Sequence, residues 1–571
     1  HIVLEQLTAK SSILSDIAAS ISSDDKTRQL AAKVGTLSIS GTAGGAKRQM
    51  SLTGKVSSDI GDANLRAGLN GDNMSFELDA EDINLLEILT DEHFGKVSAN
   101  VKGNGCIARG KESITAKGLV SKFDYNKYCY RGISLDGQYR QGTFSGTLAC
   151  DDPNASFDVS GTLSRTLAKA DIIANIHHLR PSALKLTDRW GEADFSATVT
   201  ANATGDSPAN ALGTISMERF AMSTTDDNGN TDVYTISNVN LSARKAEGRR
   251  ILALESDFAY LKVKGDFDFQ SLSHHLCNII ASKLPSIQQF TPIRQAAARD
   301  SRLEITAQVR DTEPLRHLLG IPLTLHSPLS LYGNMDSRSQ HLTLAATLPS
   351  FSYDGNQWTD ASLFITTPAD TLKAEVKAHK VLSKRHGADY SIRLAAADDN
   401  MQTNFAFDNN SSMRLKGLLN ANTRFATAIS GKAQAIVDIL PSEIHLADTT
   451  WNIGRATITY SNKQLAVDNF SIAHADQHIR INGRATDNHT DSLLIDLNKV
   501  DVAYILNLVN FHSVDFGGKA SGKAYATALF GKPAAAAKLQ VDGFTFENGR
   551  MGTLLADVEW NNGEGQIDLA A

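Results

Sequence analysis

Apolar residues occupy alternate positions through most of this chain, and short helical runs interrupt the alternation. The stretch 498–560 shows both patterns. Val500, Val502, Tyr504, Ile505 and Leu508 have the i, i+4 spacing of one helical face. After the break at Phe516-Gly517-Gly518 a small-residue strand runs to Gly531. Beyond Lys532-Pro533 the residues Ala537, Leu539 and Val541 alternate strictly, and Gly543 resets the parity before Phe544 and Phe546. A turn at Glu547-Asn548-Gly549 leads into Leu554, Ala556, Val558 and Trp560. Period two sets one row of side chains on one face of a sheet and the polar row on the other. The predicted unit is a short helix followed by a meander of one-sided strands.

The unit recurs. Residues 83–89 precede Phe94-Gly95 and a strand closing at Gly103, and residues 179–184 precede Trp190-Gly191 and a strand closing near Gly205. Residues 313–319 precede Gly320 and a strand closing at Gly333. Phe123-Asp124-Tyr125 and Phe351-Ser352-Tyr353 correspond to Phe544-Thr545-Phe546. The spacing is irregular, so the repeat is loose, and several copies of one block argue for an elongated scaffold over a single compact site. The clearest meander is 114–163. There Ile133, Leu135 and Tyr139 share one parity, as do Phe144, Leu148 and Cys150, then Phe157 and Val159, with turns at Arg140-Gln141-Gly142 and Asp151-Asp152-Pro153-Asn154.

Residues 1–34 stay open between strand and helix. Residues 271–298 are the main helical exception, with Leu276, Ile279, Ile280 and Leu284 on one face before Pro285. The expected organisation is a first β segment over 1–270 with two units, a helical spacer over 271–298, and a second β segment over 299–571. Trp451, on a strand, reads as a packing residue.

With 571 residues the chain holds several domains or one long repetitive one. Its net charge of -7 argues against a nucleic-acid partner, which needs a concentrated basic surface. No run approaches the ~18–20 apolar residues that cross a bilayer. The start at His1 and the end inside a strand read as cuts through a longer protein, so missing targeting segments say nothing of where the parent resides. Cys106, Cys129, Cys150 and Cys277 lack metal-type spacing. Cys129 and Cys150 lie on neighbouring strands where an exported protein could join them, but unpaired thiols are the favoured reading.

Catalytic constellations are weak. Gly517 to Ala524 fits G-x-x-x-x-G-K but offers Ala524 where a P-loop needs Ser or Thr, and its context is helix before strand. His474 and His478 flank a turn and read as surface histidines, and the pairs His177-His178 and His274-His275 read as helix-edge residues. There is no nucleophile elbow, paired-carboxylate pocket or Cys/His arrangement. The expectation is a protein without catalytic, metal or cofactor sites.

The segments LPSEIHLADTTWNIG, VDNFSIAHADQHIRINGRA, LLIDLNKVDVAYILNLV and FGGKASGKAYATALFGKPAAAAKLQVDGFTF resemble TamB-type proteins, the translocation and assembly module proteins of the AsmA-like superfamily in Gram-negative bacteria. DINLLEIL, GKVSANVKGNG and DDPNASFDVSGTL in the first half are similar to the same family, so the resemblance runs unevenly over nearly the whole chain. It implies a mainly β fold: an elongated, twisted, curled β-sheet groove of repeated antiparallel meanders with short capping helices, apolar inside. It also implies a periplasmic location, an N-terminal inner-membrane anchor, a C-terminal domain that meets an outer-membrane barrel protein, and a role in phospholipid transport and barrel-protein assembly. Neither anchor nor terminal domain is expected within these residues.

The partners implied are phospholipid acyl chains and, through a part of the parent not present here, the outer-membrane barrel protein. Burying an acyl chain of about 16 carbons at ~0.8 kcal/mol per CH₂ is worth on the order of 10 kcal/mol, enough for an open groove to hold a lipid. The parity nominates Leu135, Phe144, Leu148, Leu363, Ile365, Leu539, Val541, Leu554 and Val558 as groove residues. Two other readings stand beside the conduit. One is a chaperone-like scaffold whose sheet edges pair with nascent outer-membrane strands. The other is a surface protein of β-sandwich domains of about 100 residues each.

Overall fold

A computed structural model describes residues 2–10, 13, 33–46, 49–164, 168–205, 210–225, 228–267, 269–289, 300–383, 386–410, 415–428, 431–446, 448–502, 516–547, 549–561 and 566–570. The protein is mainly β and antiparallel, as the alternation predicts, and its α-helices include α1 (Leu85–Leu89), α2 (Phe269–Lys283) and α3 (Glu313–Leu319). The chain divides into two units, residues 1–262 with 317–320, and residues 263–316 with 321–571.

In unit 1 each strand pairs with the next along the chain, from Ile2–Ala9 with Leu37–Ala46 through to Thr231–Ala246 with Arg249–Ser256. The one detour is Tyr128–Tyr130, a three-residue strand that adds to the end of Ser113–Tyr125 before Ile133–Arg140 takes up the rest of it. Residues 2–9 are thus a strand, which settles the first part of the segment the sequence leaves open. Unit 2 repeats the scheme from Arg302–Val309 onward. There the strand pair 433–446 and 449–461 is broken at Leu440-Pro441 and at Gly454-Arg455. Pro441 has no N–H to donate to a ladder, so the strand pauses there.

Register shifts fall along one margin of each sheet. Non-glycine residues with left-handed backbone mark five of them, at Asp82 (φ 51), Arg219 (φ 53), Asp360 (φ 53), Asn469 (φ 59) and Lys499 (φ 51). Each inserts an extra residue that bends its strand and raises the local twist. At three of these bulges the backbone N–H donates to a side chain of the neighbouring strand, Asp82 to Ser98, Asn469 to Asn482 and Lys499 to Ser521. Asp82 takes Lys122 Nζ at 3.1 Å and Lys96 Nζ at 3.4 Å, and the Lys122 contact holds its carboxyl below the usual carboxylate range. The amide of Asn469 donates to Asn482 Oδ1 at 2.7 Å.

Three local expectations are corrected. Residues 179–184 form no helix: strand Lys169–Leu179 runs into a turn in which Leu184 N bonds Arg180 O at 3.1 Å and Lys185 turns left-handed. Leu184 is fully buried against Cys150 and Ala155, so packing pulls the chain inward after one turn. His177 and His178 consequently lie on a strand, His177 bonding Asp158 at 2.9 Å. Val500 lies in a strand opposite Ala520, so the helix does not open there; Val502 is helical, and the rest of the predicted run, from 503, lies outside the described residues. Of the helical segment expected over 271–298, the first part is α2, followed by a 3₁₀ turn at Pro285–Gln289, and residues 290–298 lie outside the described residues.

Asn469→Val is expected to destabilise the protein by about 1–2 kcal/mol in urea unfolding, because a β-branched residue resists left-handed backbone, while Asn469→Gly stays near wild type. The Asp82 contribution is present above the ordinary carboxylate range and is lost as pH falls through the lowered folded value. The stability difference between wild type and Asp82→Asn should therefore begin to shrink below about pH 4 and vanish only below the lowered folded value.

Candidate functional site

Residues directly opposite one another in an antiparallel pair share a face. In unit 1 this builds an unbroken row across the sheet: Leu65, Leu78, Val101, Gly118, Leu135, Leu148, Val159, Ala174, Val199 and Met217, each opposite the next. A parallel row nearer the hairpin turns runs Leu69, Met74, Gly105, Ile114, Tyr139, Phe144, Leu163 and Ala170. On the bulged side Ala80, Ala99, Val120, Ile133, Cys150, Phe157 and Ile176 make another. One face of the unit 1 sheet is apolar from strand to strand.

The opposite face is built the same way from polar residues, including the pairs Arg66–Glu77 at 3.1 Å and Lys117–Asp136 at 3.0 Å, with Leu119 and Ile173 as apolar interruptions. Exposed pairs of this kind contribute at most about 1 kcal/mol each, so they keep the face wet more than they hold it together.

All nine nominated residues fall on the apolar face of their own unit. Leu135 stands opposite Leu148, and Phe144 lies between Tyr139 and Leu163. In unit 2 Leu363 lies between Ala346 and Val376, and Ile365 between Leu344 and Ala374. Leu539 faces Gly522 and Ala556, Val541 faces Ala520 and Leu554, and Val558 faces Ala537. The bulge after Val541 restores the parity that Gly543 resets in the sequence. The alternation missed which strands bring their rows together, and so missed Val376 and Ile392, which extend the Leu363 row to Phe405.

In unit 1 this face stays open along its central and turn-side rows among the described residues, while Leu184 covers Cys150 on the bulged side. Tyr139 is 47% exposed, Phe144 38%, Leu148 37% and Leu163 56%, values a second packed layer would abolish. The whole chain exposes 34002 Å². Two compact globular bodies of half its mass would together expose about 24,000 Å². In unit 2 the chain covers part of its own apolar face. Leu284, just after α2, packs with Leu372 and Ala396, against which Ile280, Ile287, Ile365 and Met401 also lie. Ser286 fixes this segment by donating from its amide and its hydroxyl to Asp399, at 2.7 and 2.9 Å. The described part of the segment read from sequence as a spacer thus packs on this face, and Ile365 lies against the same cluster.

Other chemistry is sparse. The polar side of unit 2 has a recess of ≈ 910 Å³ lined by both signs of charge, among them Lys377, His379, Asp389, Lys416 and Glu443. His379 there bonds Asp389 at 2.7 Å. His474 bonds Thr450 O at 2.8 Å and His478 reaches Asp496 at 3.3 Å. Trp451 is buried. The four cysteines are free thiols, and burial pushes those of Cys129 and Cys150 up. Among the described residues no three metal-binding side chains are grouped, and no helix is long and apolar enough to cross a membrane. No protein-family model matches this chain, and no curated protein matches it.

Leu284→Ala is expected to cost about 2–5 kcal/mol in urea unfolding and to raise the fluorescence of an added apolar dye, because it loosens the cover over Leu372 and Ala396.

Proposed function

We propose that this chain is a non-catalytic lipid conduit: a stretch of a TamB-like periplasmic bridge that carries phospholipid between inner and outer membrane and serves outer-membrane biogenesis. The observation that carries the reading is the apolar face of unit 1, continuous in register from strand to strand and left open. Such a face needs an apolar partner. Acyl chains supply one, at ~0.8 kcal/mol per buried CH₂. The transfer is passive. Successive strands, ~4.8 Å apart, offer near-equivalent aliphatic surroundings, so a chain steps along the rows without crossing a deep well. The resemblance in sequence supports the periplasmic setting, the inner-membrane anchoring of the parent and the outer-membrane barrel partner.

The test compares two exposed leucines on opposite faces. Native mass spectrometry of the chain purified from Gram-negative cells should show co-purifying phospholipid. Leu148→Asp should lose that lipid while keeping its circular dichroism spectrum, and Leu119→Asp on the polar face should keep both. A lipid-free wild-type chain, or equal loss in the two variants, overturns the reading. Val541→Asp behaves differently: this residue is only 5% exposed, so a carboxylate there should destabilise the sheet by about 3 kcal/mol or more.

A further inference from the structure

We propose that the end of α2 and the turn Pro285–Gln289 form a strap poised to open. Latched to two hairpin turns, through Ser286 to Asp399 and through Lys283 to Asp370, it closes the turn-side apolar row of unit 2 and lifts to admit an aliphatic chain. The proposal rests on the conduit reading and adds to it a gate.

The row beneath the strap is the end of the unit 2 apolar face, beside the turns 337–340, 367–371 and 398–399. Leu342, Thr367, Leu372 and Ala396 belong to it, and all four are buried. The cover crosses the strands. α2 lies against His341–Tyr353, Leu284 sits on Leu372 and Ala396, and Pro285–Gln289 reaches Leu415–Thr427 and Ala433–Ile439. Further in, the same face is open, with Val376 41% and Ile392 39% exposed. The strap therefore stands between the open rows and the turn-side margin.

Its attachment is a latch and not part of the ladder. The strands beneath it pair with one another from His341–Tyr353 to Leu415–Thr427, with no strand contributed by the strap. The bonds that tie it down are at the turns. Ser286 donates from its amide and hydroxyl to Asp399 at 2.7 and 2.9 Å, and the Asp399 amide donates to Lys283 O at 3.3 Å. Lys283 Nζ donates to Ala369 O at 3.3 Å and reaches Asp370 at 3.5 Å. A sheet of this kind holds with its turn-side row bare, since Tyr139, Phe144 and Leu163 are exposed at the turn margin of unit 1.

The closed state sets opposed contributions against each other. Burial of Leu284, with Ile280 and Ile287 packed beside it, favours closure. Against it, His275 on the same helix is buried with its Nε2 lacking a hydrogen-bond partner among the described residues. The Lys283 side chain is only 5% exposed, while its partner Asp370 stands fully in solvent. Polar groups buried with incomplete pairing favour the form in which water reaches them. An aliphatic ligand that fills the row only when the strap is lifted shifts such a two-state element towards open.

Hydrogen-exchange mass spectrometry on the 571-residue chain reads the gate. In the closed strap the amides of Leu284, Ser286 and Ile287 are bonded to Ile280 O, Asp399 and Leu284 O. They should exchange at least about tenfold faster than the amides of Leu372–Ser383 and His386–Ala397, because a lid opens locally while the ladder stays shut. Ser286→Ala and Asp399→Gly each cut the latch, the glycine keeping the left-handed turn (φ 60) available. Each should speed the three amides a further tenfold or so and leave the strands unchanged. Ser282→Ala, whose hydroxyl bonds Ile279 O of its own helix at 2.7 Å, should change neither. Added palmitate should speed the three amides in wild type. Strap amides that exchange only together with the strands, or that both latch variants leave as protected as in wild type, overturn the strap. Palmitate that binds in native mass spectrometry without speeding them overturns it too, and the conduit then stands. A chain that binds no palmitate overturns the conduit and the gate with it.

Discussion

Everything distinctive about this protein depends on the antiparallel backbone ladder holding its register from strand to strand. Side chains alternate with period two, so a slip of one residue in a single pair would turn a whole apolar row onto the polar face. The row from Leu65 to Met217 survives nine successive pairings without such a slip. Irregularities do occur, but at the margin. The bulge at Asp82 comes after Ala80 has taken its place opposite Ala99, so the extra residue bends the strand end without disturbing the rows.

A sheet ordered in this way has one face that water wets poorly and no second sheet to hide it. The two units answer that constraint differently. In unit 2 the segment after α2 lays Leu284 and Ile287 over Leu372 and Ala396 and is pinned through Ser286 and Asp399. The chain thereby demonstrates on itself how an aliphatic group seats on these rows. In unit 1 the corresponding surface around Phe144, Leu148 and Leu163 stays open. The apolar packing that seats the protein's own leucines on unit 2 is the interaction that the proposed acyl chains would use on unit 1.

The two margins of the unit 1 sheet are built differently. Bulges, aromatic side chains and the buried Leu184 turn close one side, where carboxylates also neutralise Lys96, Lys122 and Arg180. Plain hairpin turns form the other, and there the clasp between Gln141 and Gly110 holds neighbouring turns together.

The sequence by itself determined the strands, their turns and the two-sidedness of each one, because period two is a property of a few neighbouring residues. For that reason Leu135, Leu148, Leu539 and Val558 were legible as members of an apolar face before any pairing was known. What only tertiary structure decided was which rows meet and what lies on them. The left-handed bulges at Asp82 and Asn469 look in sequence like any Asp or Asn within a polar row, since the partner strand is what makes the extra residue extra. Residues 179–184 carry a helical spacing, but burial of Leu184 against Cys150 outweighs the weak propensity of six residues. The spacing of α2 marks a helix correctly yet does not say what its face will cover. Ile365 looked as open as Phe144 by alternation, and only the packing of a segment some 80 residues earlier in the chain separates a covered position from an exposed one.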